Sequence, residues 1–154
     1  MILRIFQIGK TKEDWLKQGI AEYLKRLKPL LKLKVVEIPD VSLSQVGYIQ
    51  SVKSREAELC LKRIAPDDYL VLLDERGAMK TSLEFSTFLA NLSDKKSVVF
   101  VIGGVYGTGE SLRQRANACI SLSAMTFTHQ MARLVLVEQI YRALMIQNNR
   151  PYHY

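Results

Sequence analysis

A chain of 154 residues with 48% hydrophobic side chains is long enough for one domain with a sizeable core, and too apolar to read as disordered. Its net charge of +7 favours a polyanionic partner, and its two cysteines, Cys60 and Cys119, lack the spacing of a disulfide framework or a zinc site. No apolar run approaches the ~20 residues of a membrane span, and the opening Met1–Gly9 carries Arg4 and lacks the layout of a signal peptide, so a cytoplasmic protein with no membrane partner is expected.

Leu3–Ile8 is apolar and β-rich and stops at Gly9, which predicts a first strand. Thr11 followed by Asp14 resembles a capping box, and Leu16, Ile20, Tyr23, Leu24, Leu27 and Leu31 then recur at helical spacing until Pro29 ends or bends the helix. Lys34–Ile38 predicts a second strand. A polar loop leads to a helix with Ile49, Val52, Ala57, Cys60 and Ile64 on one face, stopped by Pro66-Asp67. Tyr69–Leu73 and Ser97–Ile102 are continuous apolar runs, as strands buried on both faces should be. Between them a short helix opens at Ser82 and reaches Leu92. After the second run, a glycine-rich loop leads to a helix from Glu110 to about Ala116, a short strand at Ile120–Ser123, a long helix from Thr128 to Gln147, and a polar tail. Strands alternate with helices, which predicts a single α/β domain over residues 1–154, its largely parallel sheet covered by helices on both faces.

Charge is unevenly spread. Between Lys10 and Lys34 eight Lys/Arg face three Asp/Glu, and beyond Lys96 every basic residue is an arginine: Arg113, Arg115, Arg133, Arg142 and Arg150. Arginine's planar fork suits phosphates and buried interfaces.

Three loops are candidates for chemistry. The first, Gly103-Gly104-Val105-Tyr106-Gly107-Thr108-Gly109, follows a strand, where parallel sheets bind ligands. It matches neither a P-loop, for want of Gly-Lys-Ser/Thr, nor a dinucleotide fingerprint, and it also reads as a plain tight turn. The second is Leu72–Gly77, whose Asp74 or Glu75 suits a ribose or simply forms an exposed acidic turn. The third, Leu122–Gln130, is small, hydroxyl-rich and apolar, able to enclose a planar base while offering backbone groups; Ser, Thr or Asn there is also a routine helix cap. His129 falls in the first helical turn, where the helix dipole disfavours its protonation. With only His129 and His153 in the chain and no Cys/His or carboxylate cluster, neither a Ser-His-Asp set nor a metal site is expected.

The run Val101–Gly107, then Ser121–Arg133, Glu138–Ala143 and the ending Pro151-Tyr152-His153, with the Asp14-Trp15 pair near the start, resembles the RlmH family of the SPOUT methyltransferase superfamily over essentially the whole chain. The resemblance implies a deep C-terminal trefoil knot, a homodimer with each site near the interface, and methyl transfer from S-adenosyl-L-methionine, without a metal, to N3 of a pseudouridine in large-subunit (23S) rRNA of the assembled ribosome. By motif, Leu73, Gly103, Gly104 and the segment Leu122, Ser123, Ala124, Met125, Thr126 and Phe127 would hold the co-substrate, Gly104 and Gly107 shaping the loop. His129, Arg133, Arg142, Tyr152 and His153 would lie nearest the target base. The chain departs from the family pattern at Thr128, often proline or serine, and in ending on Tyr154 without an added basic residue. A non-enzymatic RNA-binding or ribosome-associated module is the competing expectation. It would use the basic Lys10–Lys34 face and leave the two ligand loops without a role.

Overall fold

A computed structural model describes all residues, Met1–Tyr154. The apolar runs form the centre of a five-stranded sheet. β4 (Ser97–Ile102) lies between β1 (Ile2–Ile8) and β3 (Tyr69–Met79), while β2 (Lys32–Ile38) and β5 (Ala118–Ser121) are the edges. The order is β2-β1-β4-β3-β5 and every pairing is parallel. Such a sheet buries both faces, so its strands need apolar side chains at successive positions rather than alternate ones; Val98, Val99, Phe100 and Val101 are all 0% exposed.

The two faces have separate cores. Leu3, Ile5, Val71, Val98 and Phe100 point to a layer made by α1 (Asp14–Leu27), α4 (Ser82–Ala90) and α6 (His129–Gln147). Phe6, Ile8, Leu70, Leu72, Val99 and Val101 point to the opposite layer, α3 (Ile49–Leu61) and α5 (Glu110–Arg115). A four-residue helix, α2 (Leu43–Val46), precedes α3; Ser42 and Gln45 form its capping box. α6 packs against both α1 and α4, which is why its apolar residues are not confined to one stripe: Ala132, Leu136, Val137, Ile140, Ala143 and Met145 are all buried. Truncating Leu136, 0% exposed, to alanine would cost about 2–5 kcal/mol. On the edge strand β2, exposed Lys32 and Lys34 discourage pairing with another sheet.

Tertiary contacts move several predicted boundaries. The Thr11 capping box does not form: α1 begins at Asp14 with Glu13 at its cap and no side-chain cap bond. Thr11 Oγ1 instead accepts a hydrogen bond from Arg133. Leu72–Gly77 is not a turn, because β3 continues to Met79. After an irregularity beyond Leu73 it rejoins β5 with Ala78 beside Ile120 and Met79 beside Ser121. The close passage needs a glycine: a Cβ on Gly77 would stand 2.6 Å from the Ile120 backbone. β5 correspondingly ends at Ser121, freeing Leu122 and Ser123 from the sheet.

Candidate active site

A cleft of about 1180 Å³ opens beyond the carboxyl ends of β3, β4 and β5. It exceeds the ~300–1,000 Å³ of small-ligand pockets, leaving space for a cofactor and part of a second substrate. Of the residues that the sequence singled out, Leu73, Gly103, Gly104, Gly107, Leu122, Ser123, Met125, Thr126, Phe127 and His129 line this one cleft. Ala124 is exposed at its edge but outside the lining.

The glycine loop leaves β4 and turns back on itself. The Gly107 N–H donates to the Gly104 C=O at 3.1 Å, with Gly107 at φ +88°, and the turn pushes Val105 and Tyr106 outward at the rim. The loop is tied down from below by Asp74. Its Oδ2 accepts from Thr108 Oγ1 and from Arg113 Nη2, both at 2.7 Å, while Oδ1 accepts the Arg76 N–H at 2.9 Å. Burial opposes the charge on Asp74, but these donors and the charge of Arg113 prevail and hold its pKa well below the usual carboxylate range. An acidic side chain so fully engaged serves the loop rather than a ribose. Glu75, exposed beside it, remains in the cleft lining.

The segment after β5 is shaped by its own hydroxyls. Ser121 Oγ donates to the Ser123 C=O at 2.9 Å, Ser123 Oγ accepts the Met125 N–H at 2.9 Å, and Thr128 Oγ1 caps α6 by accepting the Met131 N–H at 3.1 Å. The N–H groups of Ala124, Thr126 and Phe127 have no partner within the chain. Apolar side chains with unpartnered backbone donors between them fit a planar, hydrogen-bonding ring such as adenine.

His129 opens α6 and stays neutral at pH 7. Burial lowers its pKa below 6.5, and the charges of Arg133 and Lys12 add to the effect. Arg133 is placed differently from the expectation of a residue beside the target base. It is 2% exposed, and its guanidinium donates to the Ile8 C=O and to Thr11 Oγ1, pinning the β1–α1 loop to α6. Gln130 strengthens the pin, donating to the Lys10 C=O at 3.0 Å and accepting the Lys12 N–H at 3.2 Å. The clamp sets Trp15, 58% exposed, at the cleft wall.

The remaining three predicted residues form a second cluster. Glu138 Oε1 accepts from Arg142 Nε at 3.1 Å and from the Tyr152 O–H at 3.0 Å; Arg142 stacks 4.7 Å over the Tyr152 ring, and His153 Nδ1 lies 3.3 Å from Arg142 Nη1. Burial and the hydrogen bonds with Tyr23 and Glu138 push the Tyr152 phenol above its usual range. At a rise of ~1.5 Å per residue, Arg142 is about 20 Å along α6 from His129, so one chain does not bring this cluster to its own cleft.

Sequence reading singled out neither Lys53 in the cleft lining nor Glu56 beneath it. No local signal marks them, because only the packing of α3 against the glycine loop brings them to the site. No group of three or more His, Cys, Asp or Glu side chains comes together.

A parallel sheet with a glycine loop and a roomy, partly apolar cleft past its carboxyl ends places the chain among α/β proteins of the kind whose ligand sites lie at the strand termini. Family comparison makes this specific. A model described as predicted SPOUT methyltransferase matches residues 1–153, and the chain belongs to that family. It is similar over its full length to curated relatives named ribosomal RNA large subunit methyltransferase H. The relative from Trichlorobacter lovleyi is 44% identical, with 100% of both chains covered. That from Dictyoglomus thermophilum is 43% identical, also with 100% of both covered. That from Parabacteroides distasonis is 45% identical, with 100% of this chain and 99% of the relative covered.

Proposed function

We propose that this chain transfers a methyl group from S-adenosyl-L-methionine to N3 of a pseudouridine in large-subunit rRNA, acting in the cytoplasm as a homodimer on the assembled ribosome. The observation that carries the reading is the single cleft joining the glycine loop to the Leu122–Phe127 segment, in a chain whose full-length relatives are named for large-subunit rRNA methylation. The residues fit the cofactor: unpartnered backbone donors between apolar side chains suit its adenine, and the bare glycine loop leaves space for the rest.

When bound, S-adenosyl-L-methionine supplies a sulfonium-activated methyl group. The chain must align the acceptor nitrogen and help it lose its proton. Alignment contributes up to ~7–11 kcal/mol in favourable cases. Leu73, Gly103, Gly104, Leu122, Ser123, Met125, Thr126 and Phe127 form the cofactor walls, with Ala124 at their edge. N3 lies between two carbonyls, so its deprotonated ring spreads negative charge onto oxygen, and the Arg142 guanidinium is the group that stabilises it. His153 or neutral His129 accepts the proton. Arg133 holds the wall that carries Trp15.

Arg142, Tyr152 and His153 reach a cleft only if a second copy presents its tail there, which supports the homodimer. One sheet with its two helical layers supports a single domain over residues 1–154. The knot is part of the same proposal. Its support is the extension of β3, which runs alongside the end of β5 with Gly77 close against the Ile120 backbone just before the chain leads into α6.

The test is methyl transfer from labelled S-adenosyl-L-methionine to intact ribosomes lacking the modification, with separated subunits and bare rRNA alongside. Label in large-subunit rRNA that depends on the pseudouridine is expected. Cofactor binding without label anywhere would sink the substrate; absence of binding would leave the RNA-binding module as the better account.

A further inference from the structure

Beneath the glycine loop lies a carboxyl that the site described above does not use. Glu56, on α3, is 5% exposed, and its Oε1 is buried without a hydrogen-bond partner. Oε2 accepts one long hydrogen bond, 3.3 Å, from the Val41 N–H. A Cβ on Gly104 would stand 2.7 Å from Oε1, so the loop's main chain rests on the carboxyl with room for a hydrogen and nothing larger. Gly103, Gly104, Gly107 and Thr108 border the small space around Glu56 on one side and the large cleft on the other. The loop is therefore a wall one residue thick, with Glu56 behind it and the ligand space in front.

A buried carboxyl with an unpartnered oxygen costs stability that an apolar side chain would not, so packing alone does not account for it. Burial raises its pKa, the charge of Asp40 adds to this, and the Val41 N–H opposes it.

We propose that Glu56 is a positioning residue of the methyl-transfer site: its carboxyl braces the Gly103–Gly109 loop from behind and keeps Gly103 and Gly104 in the shape that receives the cofactor. The inference rests on the reading of the cleft as the S-adenosyl-L-methionine site.

Glu56→Gln preserves size and a polar head that can still accept the Val41 N–H, Glu56→Ala removes the brace, and Glu56→Met fills the space without a polar head should the alanine chain fail to fold. Three quantities are compared: affinity for S-adenosyl-L-homocysteine, amide exchange across residues 103–109 in the ligand-free protein, and the thermal midpoint. The glutamine variant is expected to bind within about twofold of wild type, and the alanine and methionine variants roughly tenfold more weakly. Exchange should rise across 103–109 in the latter two, while β1 and β4 stay protected. A lowered midpoint with affinity and loop exchange unchanged overturns the proposal, as does glutamine behaving like alanine. If the wild-type protein binds no cofactor, the proposed function falls instead, and loop exchange in the ligand-free variants still decides whether Glu56 is a brace.

Discussion

Replacing Asp74 with alanine removes the acceptor that joins β3, the glycine loop and α5. Thr108 Oγ1 and Arg113 Nη2 both lose a 2.7 Å partner, and the Arg76 N–H loses its acceptor. Breaking a fully buried ion pair by removing one member costs about 3–5 kcal/mol. Here the Asp74 side chain is 7% exposed and that of Arg113 23%, so solvent screening reduces the expected loss to about 2–3 kcal/mol. For a chain of this size that lowers the thermal midpoint by about 4–12 °C, measured at fixed protein concentration because association shifts midpoints too. Asp74→Asn keeps the shape and loses the charge, and should fall between. The pH dependence has a definite sign. The folded pKa of Asp74 lies below the unfolded value of about 3.9, so its contribution is complete above that pH and is lost as pH falls toward the folded value. The gap between wild-type and Asn midpoints in urea should therefore be widest near neutrality and narrow in acid. An alanine variant within about 0.5 kcal/mol of wild type, with unchanged affinity for S-adenosyl-L-homocysteine, would refute the view that this ion pair organises the loop.

Further outcomes follow from the same geometry. Arg133→Met strands the buried Ile8 carbonyl and frees Thr11, at a cost of about 1–3 kcal/mol, with amide exchange rising in residues 9–13; exchange confined elsewhere would argue against the clamp. The imidazole of His129 should titrate below 6.5 by NMR. Its neutral form stabilises the fold at neutral pH, and that contribution fades as pH falls below about 6.5, a slope that His129→Gln should flatten. Arg142→Ala should abolish methyl transfer while leaving S-adenosyl-L-homocysteine affinity intact. Mixed with Gly104→Val chains, whose added side chain meets Glu56, it should recover part of the activity in heterodimers. No recovery under conditions of proven subunit exchange would mean that tail and cleft act within one chain.

Much of the strand pattern was legible in the residues. Ser97–Ile102 and Tyr69–Leu73 announce buried parallel strands because neither face of such a strand meets water, and Thr128 announces a helix start because it caps one. Boundaries that depend on distant partners were not legible. Thr11 and Asp14 have the form of a capping box, yet Arg133, more than a hundred residues away, takes the Thr11 hydroxyl. Leu72–Gly77 has the composition of a turn, yet pairing with β5 draws it into the sheet. In the site, the glycine loop and the Leu122–Gln130 segment stand out locally, while Glu56 and Lys53 look like ordinary surface residues of their helix.

The sequence by itself therefore determined the class of fold, the two candidate loops that line the cleft and their order, since hydrophobic runs, glycines and caps act through neighbours along the chain. Only the tertiary structure decided which polar side chains the cleft receives. It turned Asp74 to the loop and Arg133 to the β1–α1 clamp, put Glu56 beneath Gly104, and set Arg142 far along α6 from His129, with Tyr152 and His153 of the tail folded beside it. Those assignments depend on burial and on hydrogen bonds between elements far apart in sequence, and the cost of an unpartnered polar group arises only once the chain has packed around it.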